Sequence, residues 1–292
     1  MNIVASRKIF YTFSGTLFAL SIASLLIYGL NLGVDFKGDA RIDVEYKNSI
    51  PSKSEIVDSL KGAGITVTDV TQSSDHRVLV RMNYLTEADH QKVLATLRAK
   101  GEVEEKSFIS TGPSVGRQLR RNALIALALA LIAIILYVAF AFRKVSRPVS
   151  SWIYGVIAVV ALLHDVFIPT GIFSFLRIEI DALFVTALLT VLGFSVHDTI
   201  VVFDRVRENL RRSSTGNFEE LVERSLKETI TRSINTSLTT VLSLLAVYFF
   251  GGVATKNFAL ALIIGIIIGT YSSIFIASPL LVTVERWRRK RS

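Results

Sequence analysis

Long apolar runs alternate with short charged segments along most of the chain, and this alternation predicts six membrane-crossing helices. The first run covers residues 9–30, about the 20 residues that a helix needs to cross a bilayer. Four further runs cover residues 122–142, 152–171, 234–250 and 258–284. The remaining crossing begins the stretch 181–212, whose apolar first part continues without a break into charged residues.

The polar region between the first two runs, residues 31–121, has a different pattern that predicts a small folded domain. Alternating apolar and polar positions predict four strands, at 41–46, 65–71, 77–82 and 102–110. Helices are predicted at 52–62, where Ser52 and Glu55 form a capping box, and at 86–100. The order β-α-β-β-α-β is that of a ferredoxin-like α+β domain.

Turn-forming residues mark both ends of this domain. The segment 33–38 is rich in turn residues, and 111–116, with two glycines and a proline, is expected to be a hinge-like linker. The sequence therefore predicts three parts. They are a first crossing over 1–30, a polar domain with its linker over 31–116, and the other crossings over 117–292.

Composition agrees with a membrane protein, since 51% of the residues are hydrophobic and only 20% are charged. The chain has no cysteine, which excludes disulfides, zinc–thiolate sites and thiol catalysis. Its net charge of +9 does not point to nucleic acid, because the basic residues gather at the ends of the apolar runs.

The positions of the basic residues also predict the orientation of the helices. The connections at 143–147 and 205–232 and the tail after residue 285 are all basic, whereas the returns at 172–180 and 251–257 hold one basic residue each. Under the positive-inside rule, both termini are cytoplasmic and the polar domain lies outside, because long domains cross largely regardless of charge.

The candidate chemistry centres on Asp198, which lies near the far end of the fourth apolar run. A charge inside such a crossing costs roughly +2.5 to +3.5 kcal/mol on insertion scales, so its presence indicates a functional role for the residue. At 1.5 Å per residue, Asp198 is roughly 25 Å from the boundary marked by Asp181, in the cytoplasmic half of the membrane. Phe194, Asp198 and Arg205 share a helix face.

The fifth crossing carries a polar stripe that begins with an arginine. Arg232, Thr236 and Thr239 share one face, with Asn235 beside them. Arg232 is near the depth of Asp198, so we hypothesise that the two pair. Desolvation favours a neutral carboxyl and a nearby arginine favours the ionised one. Because arginine stays charged, proton gain and loss would fall on Asp198. The alternative is a static buried ion pair.

Two further polar pairs have open interpretations. His164 and Asp165, near the predicted outer end of the third crossing, are either a second relay point or an interfacial pair that positions the helix end. Asp204 and Arg205, at the cytoplasmic boundary, are either a local ion pair or part of a gate.

Metal and enzyme sites have little support in the sequence. His197 beside Asp198 suggests a metal site only weakly, because the chain lacks an H-E-x-x-H spacing. Nucleophile-elbow, phosphate-loop and dinucleotide motifs are also absent from the sequence. We therefore expect no cofactor, no metal and no enzyme activity.

Small residues predict close helix packing in the sixth crossing, where Gly265 and Gly269 form a G-x-x-x-G motif. Gly193, one turn before His197, is expected to admit a close neighbour in the same way. The alternative is that glycine is simply common in membrane helices.

Several of these segments together resemble the SecF family, the smaller membrane subunits of bacterial SecDF protein-export complexes. The resemblance covers essentially the whole chain. It rests on the sequences GVDFKG at 33–38, HD at 164–165, GFSVHDTIVVFDRVREN at 193–209 and RSINTSLTT at 232–240.

The resemblance implies a six-helix subunit that pairs with SecD. Together the two would form a bundle similar to a resistance-nodulation-division transporter, of which this chain would be half. It implies that the polar domain is periplasmic, that the membrane is the bacterial inner membrane, and that the pair uses the proton gradient at the Sec translocon. Exported polypeptide would be handled at least indirectly, and protons and lipids are the other expected partners. Nucleic acid is not expected.

Carried over by position, the resemblance makes Asp198 the proton-pathway aspartate and Arg232 its essential arginine. A further pathway aspartate belongs to SecD and is absent here. The family commonly has asparagine where this chain has His197. This departure either alters the pKa of Asp198 or makes His197 an extra titrating group. The alternatives to a proton-coupled subunit are a small-molecule efflux component and a passive scaffold of a translocon.

Overall fold

The structure is a computed structural model that describes residues 2–72, 76–143, 149–212 and 217–290. It contains two compact units, one comprising residues 1–31 and 125–292 and the other residues 32–124. Within the described residues, six helices are long and apolar enough to cross a membrane. Together with the four-stranded sheet of the second unit, they confirm the predicted membrane protein with a small α+β domain.

The membrane-crossing helices follow the apolar runs of the sequence. They are α1 (Arg7–Tyr28), α5 (Pro113–Ala141), α6 (Ser151–Phe175), α7 (Ala182–Arg212), α8 (Phe218–Phe250) and α9 (Val253–Ser272). The sixth crossing continues beyond α9 through a π-helical segment (Ser273–Ala277) into α10 (Ser278–Arg289). The predicted unbroken course of 181–212 is confirmed, since α7 covers it almost completely.

Three boundaries differ from the prediction. The sequence predicts that the third crossing ends at Gly171, but α6 continues to Phe175 with Pro169 inside it. Proline is tolerated within membrane helices, because neighbouring groups satisfy the backbone carbonyl that it frees. The charged connection and the fifth crossing form one helix, α8, and the sixth crossing is interrupted at its π-helical segment.

Aromatic stacking holds one end of the membrane unit together. Tyr154 of α6 is fully buried, and its ring lies 5.1 Å from those of Phe142 and Phe203. Close by in the same apolar cluster, the N-terminal segment is tied to α8, because the Val4 backbone N–H donates to Glu223 over 2.8 Å. Of the basic loop predicted at 143–147, Lys144 and Arg147 lie outside the described residues, as does Arg291 of the tail.

The second unit has the topology that the sequence predicts. Its elements are α2 (Val34–Lys37), β1 (Asp39–Tyr46), α3 (Lys53–Gly62), β2 (Val67–Gln72), β3 (Arg77–Asn83), α4 (Glu87–Arg98) and β4 (Val103–Ser110). The strands form an antiparallel sheet in the order β2-β3-β1-β4, the order of a ferredoxin-like fold. Alternate residues of β1, from Ala40 to Tyr46, pack in one core with both longer helices.

Local signals set the helix ends in this unit. Ser52 and Glu55 form the predicted capping box at the start of α3, and Thr86 and Asp89 form a second one at the start of α4. In each box the side chains and the backbone N–H groups of two residues satisfy each other. The turn-rich segment at 33–38 contains the single helical turn α2, which Gly38 ends with a positive φ.

The predicted hinge-like linker at 111–116 is wrong for most of its length, because α5 already begins at Pro113. Proline suits the first turn of a helix, where its missing N–H costs nothing. Gly116 lies tightly against the backbone, since a Cβ there would be 3.1 Å from the Phe36 carbonyl oxygen and 2.9 Å from the Gly38 nitrogen. This segment is therefore packed rather than hinge-like.

Candidate functional site

Asp198 is buried in the interior face of α7, with 8% of its surface exposed. Its Oδ1 accepts a hydrogen bond from the hydroxyl of Ser233 on α8. Its Oδ2 is buried and has no hydrogen-bond partner among the described residues. A buried, half-satisfied carboxyl is costly, which marks a place where a proton or a water molecule can bind.

Arg232 does not contact Asp198, so the hypothesis of a direct pair is wrong for this structure. Arg232 is exposed, while the next residue, Ser233, faces α7. One residue along a helix is a rotation of about 100°, and that rotation turns Arg232 away from the carboxylate. Arg232 and His197 remain within electrostatic range of Asp198, and His197 is exposed on α7.

Arg232 instead lines a cavity of about 330 Å³ between α7 and α8. The other residues of its lining are Val201, Asp204, Arg205, Glu208, Glu228 and Thr229. Val201 is one helical turn beyond Asp198, so the cavity begins close to the buried carboxyl. Because most of its lining is charged, the cavity is a suitable place for water beside the site.

Asp204 and Arg205 take part in ion pairs at this cavity. Asp204 lies 2.6 Å from Arg207 on its own helix, and Arg205 lies 2.6 Å from Glu228 of α8. Of the two open interpretations, the local ion pair therefore describes Asp204. Arg205 links two helices, and Asn209 donates to the same glutamate over 2.9 Å.

The polar stripe on α8 does not point at the carboxylate. Asn235, Thr236 and Thr239 are exposed, and the two threonine hydroxyls donate to carbonyls of their own helix over 2.9 and 3.0 Å. The face that meets α7 and α9 carries Ser233 and Ser237 instead, of which Ser237 bonds to Thr270 of α9.

Asp165 forms a second buried polar site, and it is fully inaccessible to solvent. Its Oδ2 accepts from Ser195 of α7 over 2.5 Å and from Ser272 of α9 over 2.8 Å, and its Oδ1 lies 3.0 Å from His164 Nδ1. The predicted position near the helix end is wrong. Because α6 continues to Phe175, the pair lies at the middle of the helix, which removes the interfacial interpretation.

Serine hydroxyls bond to both buried aspartates, further serine and threonine hydroxyls bond to one another nearby, and most of these residues were missed in the sequence. Ser273, at the start of the π-helical segment, bonds to Thr199 over 2.9 Å, and the Ser278 hydroxyl donates to the Ser273 carbonyl. Two features of the sequence could have identified these residues. Ser233 and Ser237 are four residues apart on one face, and the doublet Ser272–Ser273 interrupts an apolar run.

The glycines of α9 lie against α7. A Cβ at Gly265 would be 2.3 Å from Val191 Cγ2, and one at Gly269 would be 2.9 Å from Ser195 Cβ. These two glycines let α9 approach closely enough for its serines to reach Asp165. Gly193 differs, since its added Cβ would meet nothing within 4 Å among the described residues, so the close neighbour predicted there is wrong.

The chain is similar to known membrane proteins of protein export. A family model described as "Protein export membrane protein SecD/SecF, C-terminal" matches residues 91–287. The protein translocase subunit SecF of Thermobaculum terrenum is 45% identical over 98% of this chain and 94% of its own length. That of Anaerolinea thermophila is 38% identical over 99% of this chain and 96% of its own.

A solved structure gives the same likeness in three dimensions. The crystal structure of SecDF, a translocon-associated membrane protein from Thermus thermophilus, matches with a TM-score of 0.86 and 32% identity. The match covers 98% of this chain, and this chain spans 39% of the SecDF chain.

Proposed function

The chain belongs to the SecD/SecF family of protein export membrane proteins and is an auxiliary subunit of Sec protein translocation. From this premise we propose that protons bound and released by Asp198 drive the step of protein export that this subunit assists. The observation that carries the proposal is the buried carboxyl oxygen of Asp198, which has no partner among the described residues and lies one helical turn before Val201 in the lining of a charged cavity.

Water entering the cavity between α7 and α8 gives Asp198 its exchange route. Burial in a low-dielectric interior favours the neutral carboxyl, while water and a nearby cation favour the ionised one. Arg232 lines the cavity and stays charged, so a small movement of its side chain changes how strongly the carboxylate is held. Each proton carried inward supplies roughly 2.3 kcal/mol per 100 mV of membrane potential.

A SecD-type chain is the proposed partner, because a SecDF structure matches this chain over 39% of its own length. The exposed polar residues of α8 support such a contact. Asn235, Thr236 and Thr239 lie in a membrane crossing yet face away from the rest of the unit. Asparagine and threonine side chains are among those that form hydrogen bonds between neighbouring membrane helices. Exported polypeptide, translocon subunits and lipids complete the proposed set of contacts.

The proposed location is the inner membrane of a bacterium, with both termini in the cytoplasm and the ferredoxin-like domain in the periplasm. The basic residues support this orientation. Arg7 and Lys8 lie at the start of α1, Arg211 and Arg212 end α7, and basic residues end α10.

Export by vesicles that contain the chain and its SecD-type partner tests the proposal. A secretory protein is presented with ATP, with and without a proton gradient, to wild type and to Asp198→Asn. The variant is expected to lose the gradient-dependent part of export and to keep the ATP-driven part. Asp58→Asn, an exposed aspartate on α3, is the matched control and should behave as wild type.

The alternatives give different results in the same assay. A passive scaffold would support gradient-dependent export equally well with Asp198→Asn. A small-molecule efflux component would leave export unchanged in both variants and alter resistance to toxic compounds instead.

A further inference from the structure

We propose that Asp165 is a second proton-binding carboxyl of the same pathway, located one helical turn to the outer side of Asp198, with Ser195 between them. This inference rests on the proposed function and extends it to the part of the path that Asp198 alone does not explain. It is carried by four observations: the depth of Asp165, its three partners, its lack of a lysine or arginine partner among the described residues, and its position beside the π-helical segment.

The depth of Asp165 places it near the centre of the membrane. It lies about 21 Å along α6 from Ser151, and Ser195 lies about 20 Å along α7 from Ala182, at 1.5 Å per residue. The hydrocarbon core is about 30 Å thick. Ser195 precedes Asp198 by three residues on α7, so the two side chains share a helix face.

The groups that face Asp165 come from three helices. They are His164 on its own helix, Ser195 on α7 and Ser272 on α9. No lysine or arginine forms an ion pair with Asp165 in the part of the chain that the structure describes. A permanently ionised carboxylate in this position would ordinarily be paired with a cation. A carboxyl that is neutral for part of a cycle has no such need.

His164 supplies the outward connection from Asp165. Its Nδ1 lies 3.0 Å from Asp165, while its Nε2 is buried and has no partner among the described residues. The ring also stacks beside Tyr271, with the centroids 6.4 Å apart. An imidazole with one nitrogen on a carboxyl and the other open is suited to accept a proton on one side and release it on the other.

The proton step conserves charge and atoms. The neutral carboxyl of Asp165 gives its proton to the Ser195 hydroxyl oxygen, while the hydroxyl's own proton leaves to a water molecule beside Asp198. That water passes one proton to the ionised Asp198, and the serine returns to its original state. One carboxyl becomes ionised and the other neutral, so one proton has moved towards the cytoplasm.

The transfer of this proton also changes the strength of the hydrogen bonds by which Asp165 joins α6 to α7 and α9. Ionised Asp165 holds Ser195 of α7 and Ser272 of α9 by charge-assisted hydrogen bonds, which are about twice as strong as neutral ones. Ser272 is the last residue of α9 before the π-helical segment. Such segments interrupt regular helix and occur frequently at functional sites. Protonation of Asp165 therefore weakens the link at the point where the sixth crossing is already irregular.

Infrared difference spectroscopy on the full-length chain in lipid vesicles tests the inference directly. Protonated carboxyl groups absorb at a frequency that separates them from ionised ones, so a pH titration reports each buried site. We expect Asp165→Asn to remove one titrating band and Asp198→Asn to remove a different one. Asp165→Glu, which retains a titratable group, should restore a shifted band. Ser174→Ala, a buried serine that donates only to backbone carbonyls, is the control for changes in packing.

The outcomes separate this inference from the proposed function. If Asp198→Asn removes a band and folded Asp165→Asn removes none, Asp165 is a static hydrogen-bond anchor and the inference fails alone. If Asp198→Asn removes no band, the proposed function fails, and the inference fails with it.

Ser195→Ala gives the second readout, because both carboxyls remain in this variant. We expect both titrating bands to persist while gradient-dependent export is lost. Unchanged export in Ser195→Ala, with Asp165→Asn inactive, would overturn the role of the serine as the connection.

Discussion

The two buried aspartates differ in how many of their oxygens are held. Asp165 has partners on both oxygens from three helices, whereas Asp198 has a partner on one oxygen only among the described residues. Since unsatisfied buried oxygens are costly, Asp198 is the site that gains most from a proton or a water molecule. Asp165, with three hydrogen-bond partners on three helices, is the site whose ionisation most affects how the helices are joined.

At the scale of residues, the burial of Asp198 could be predicted because a single property was decisive, and its role stays a prediction. A charge in an apolar run was enough to find Asp198, because few residues occupy such a position by default. Its hydrogen-bond partner was not predicted. Arg232 and Ser233 are neighbours on α8 and point in directions about 100° apart, and tertiary packing decides which of the two faces α7. The sequence favoured the charged residue, and the structure places the hydroxyl on the carboxylate.

The capping box of α3 predicts a pH dependence outside the membrane. Hydrogen bonds from the backbone N–H and the hydroxyl of Ser52 hold the pKa of Glu55 below its ordinary value. A carboxyl with a lowered folded-state pKa adds stability above its unfolded-state pKa, and this stability is lost as pH falls through the folded-state value. The first turn of α3 is therefore expected to open more readily on acidification.

Hydrogen-exchange protection factors of the α3 amides measure this effect in the full chain. In Glu55→Gln the decrease in protection on acidification should be smaller than in wild type. Asp58→Asn, on the same helix but outside the box, should keep the wild-type decrease. An equal decrease in Glu55→Gln and wild type would contradict the assignment.

At the scale of elements, close packing between α7 and α9 is the contact that positions the site. Gly265 faces both methyl groups of Val191, which would lie 2.3 and 2.9 Å from a Cβ added at the glycine. Valine is β-branched and stiff, so it has little room to yield. Gly265→Ala is expected to lower the free energy of unfolding by about 1–3 kcal/mol, the usual cost of overpacking.

Gly193→Ala is the matched control, since an added methyl group there meets nothing within 4 Å among the described residues. It should be neutral or should stabilise the helix by up to about 1 kcal/mol, because alanine has the higher helix propensity. Unfolding of both variants in the same detergent compares them. A Gly265→Ala chain at least as stable as Gly193→Ala would show that the two helices do not depend on this contact.

Helix and strand identity followed from the sequence, but several boundaries did not. The ferredoxin-like order and the capping box at Ser52 are local signals, and the structure has both. The π-helical segment has no local signal. It is associated with contacts between helices, such as the bond from Ser273 to Thr199. The start of α5 was also missed, because two glycines and a proline within six residues favour a linker when packing is unknown.

At the scale of the whole molecule, the exposed polar stripe of α8 predicts where the SecD-type partner lies. Asn235, Thr236 and Thr239 lie in a crossing and contact none of the other crossings through their hydrogen bonds among the described residues. Because the chain has no cysteine, a single introduced thiol reports its own surroundings.

We expect Thr239→Cys to cross-link to the partner chain when a thiol-reactive bifunctional reagent is added to membranes. Leu26→Cys, at a position that is 81% exposed on α1, is the control for a surface facing lipid. Cross-linking from Leu26→Cys with none from Thr239→Cys would place the partner on the other side of the unit.

Proton movement itself tests the central claim most directly. Vesicles whose interior is the cytoplasmic side contain the chain with its partner, a secretory protein and a pH-sensitive dye, and they are given an inward proton gradient while the secretory protein is exported. Wild type should acidify the interior during export, and Asp198→Asn should not, although it assembles with its partner to the same extent. Equal acidification by wild type and Asp198→Asn would contradict the claim that this carboxyl carries the proton.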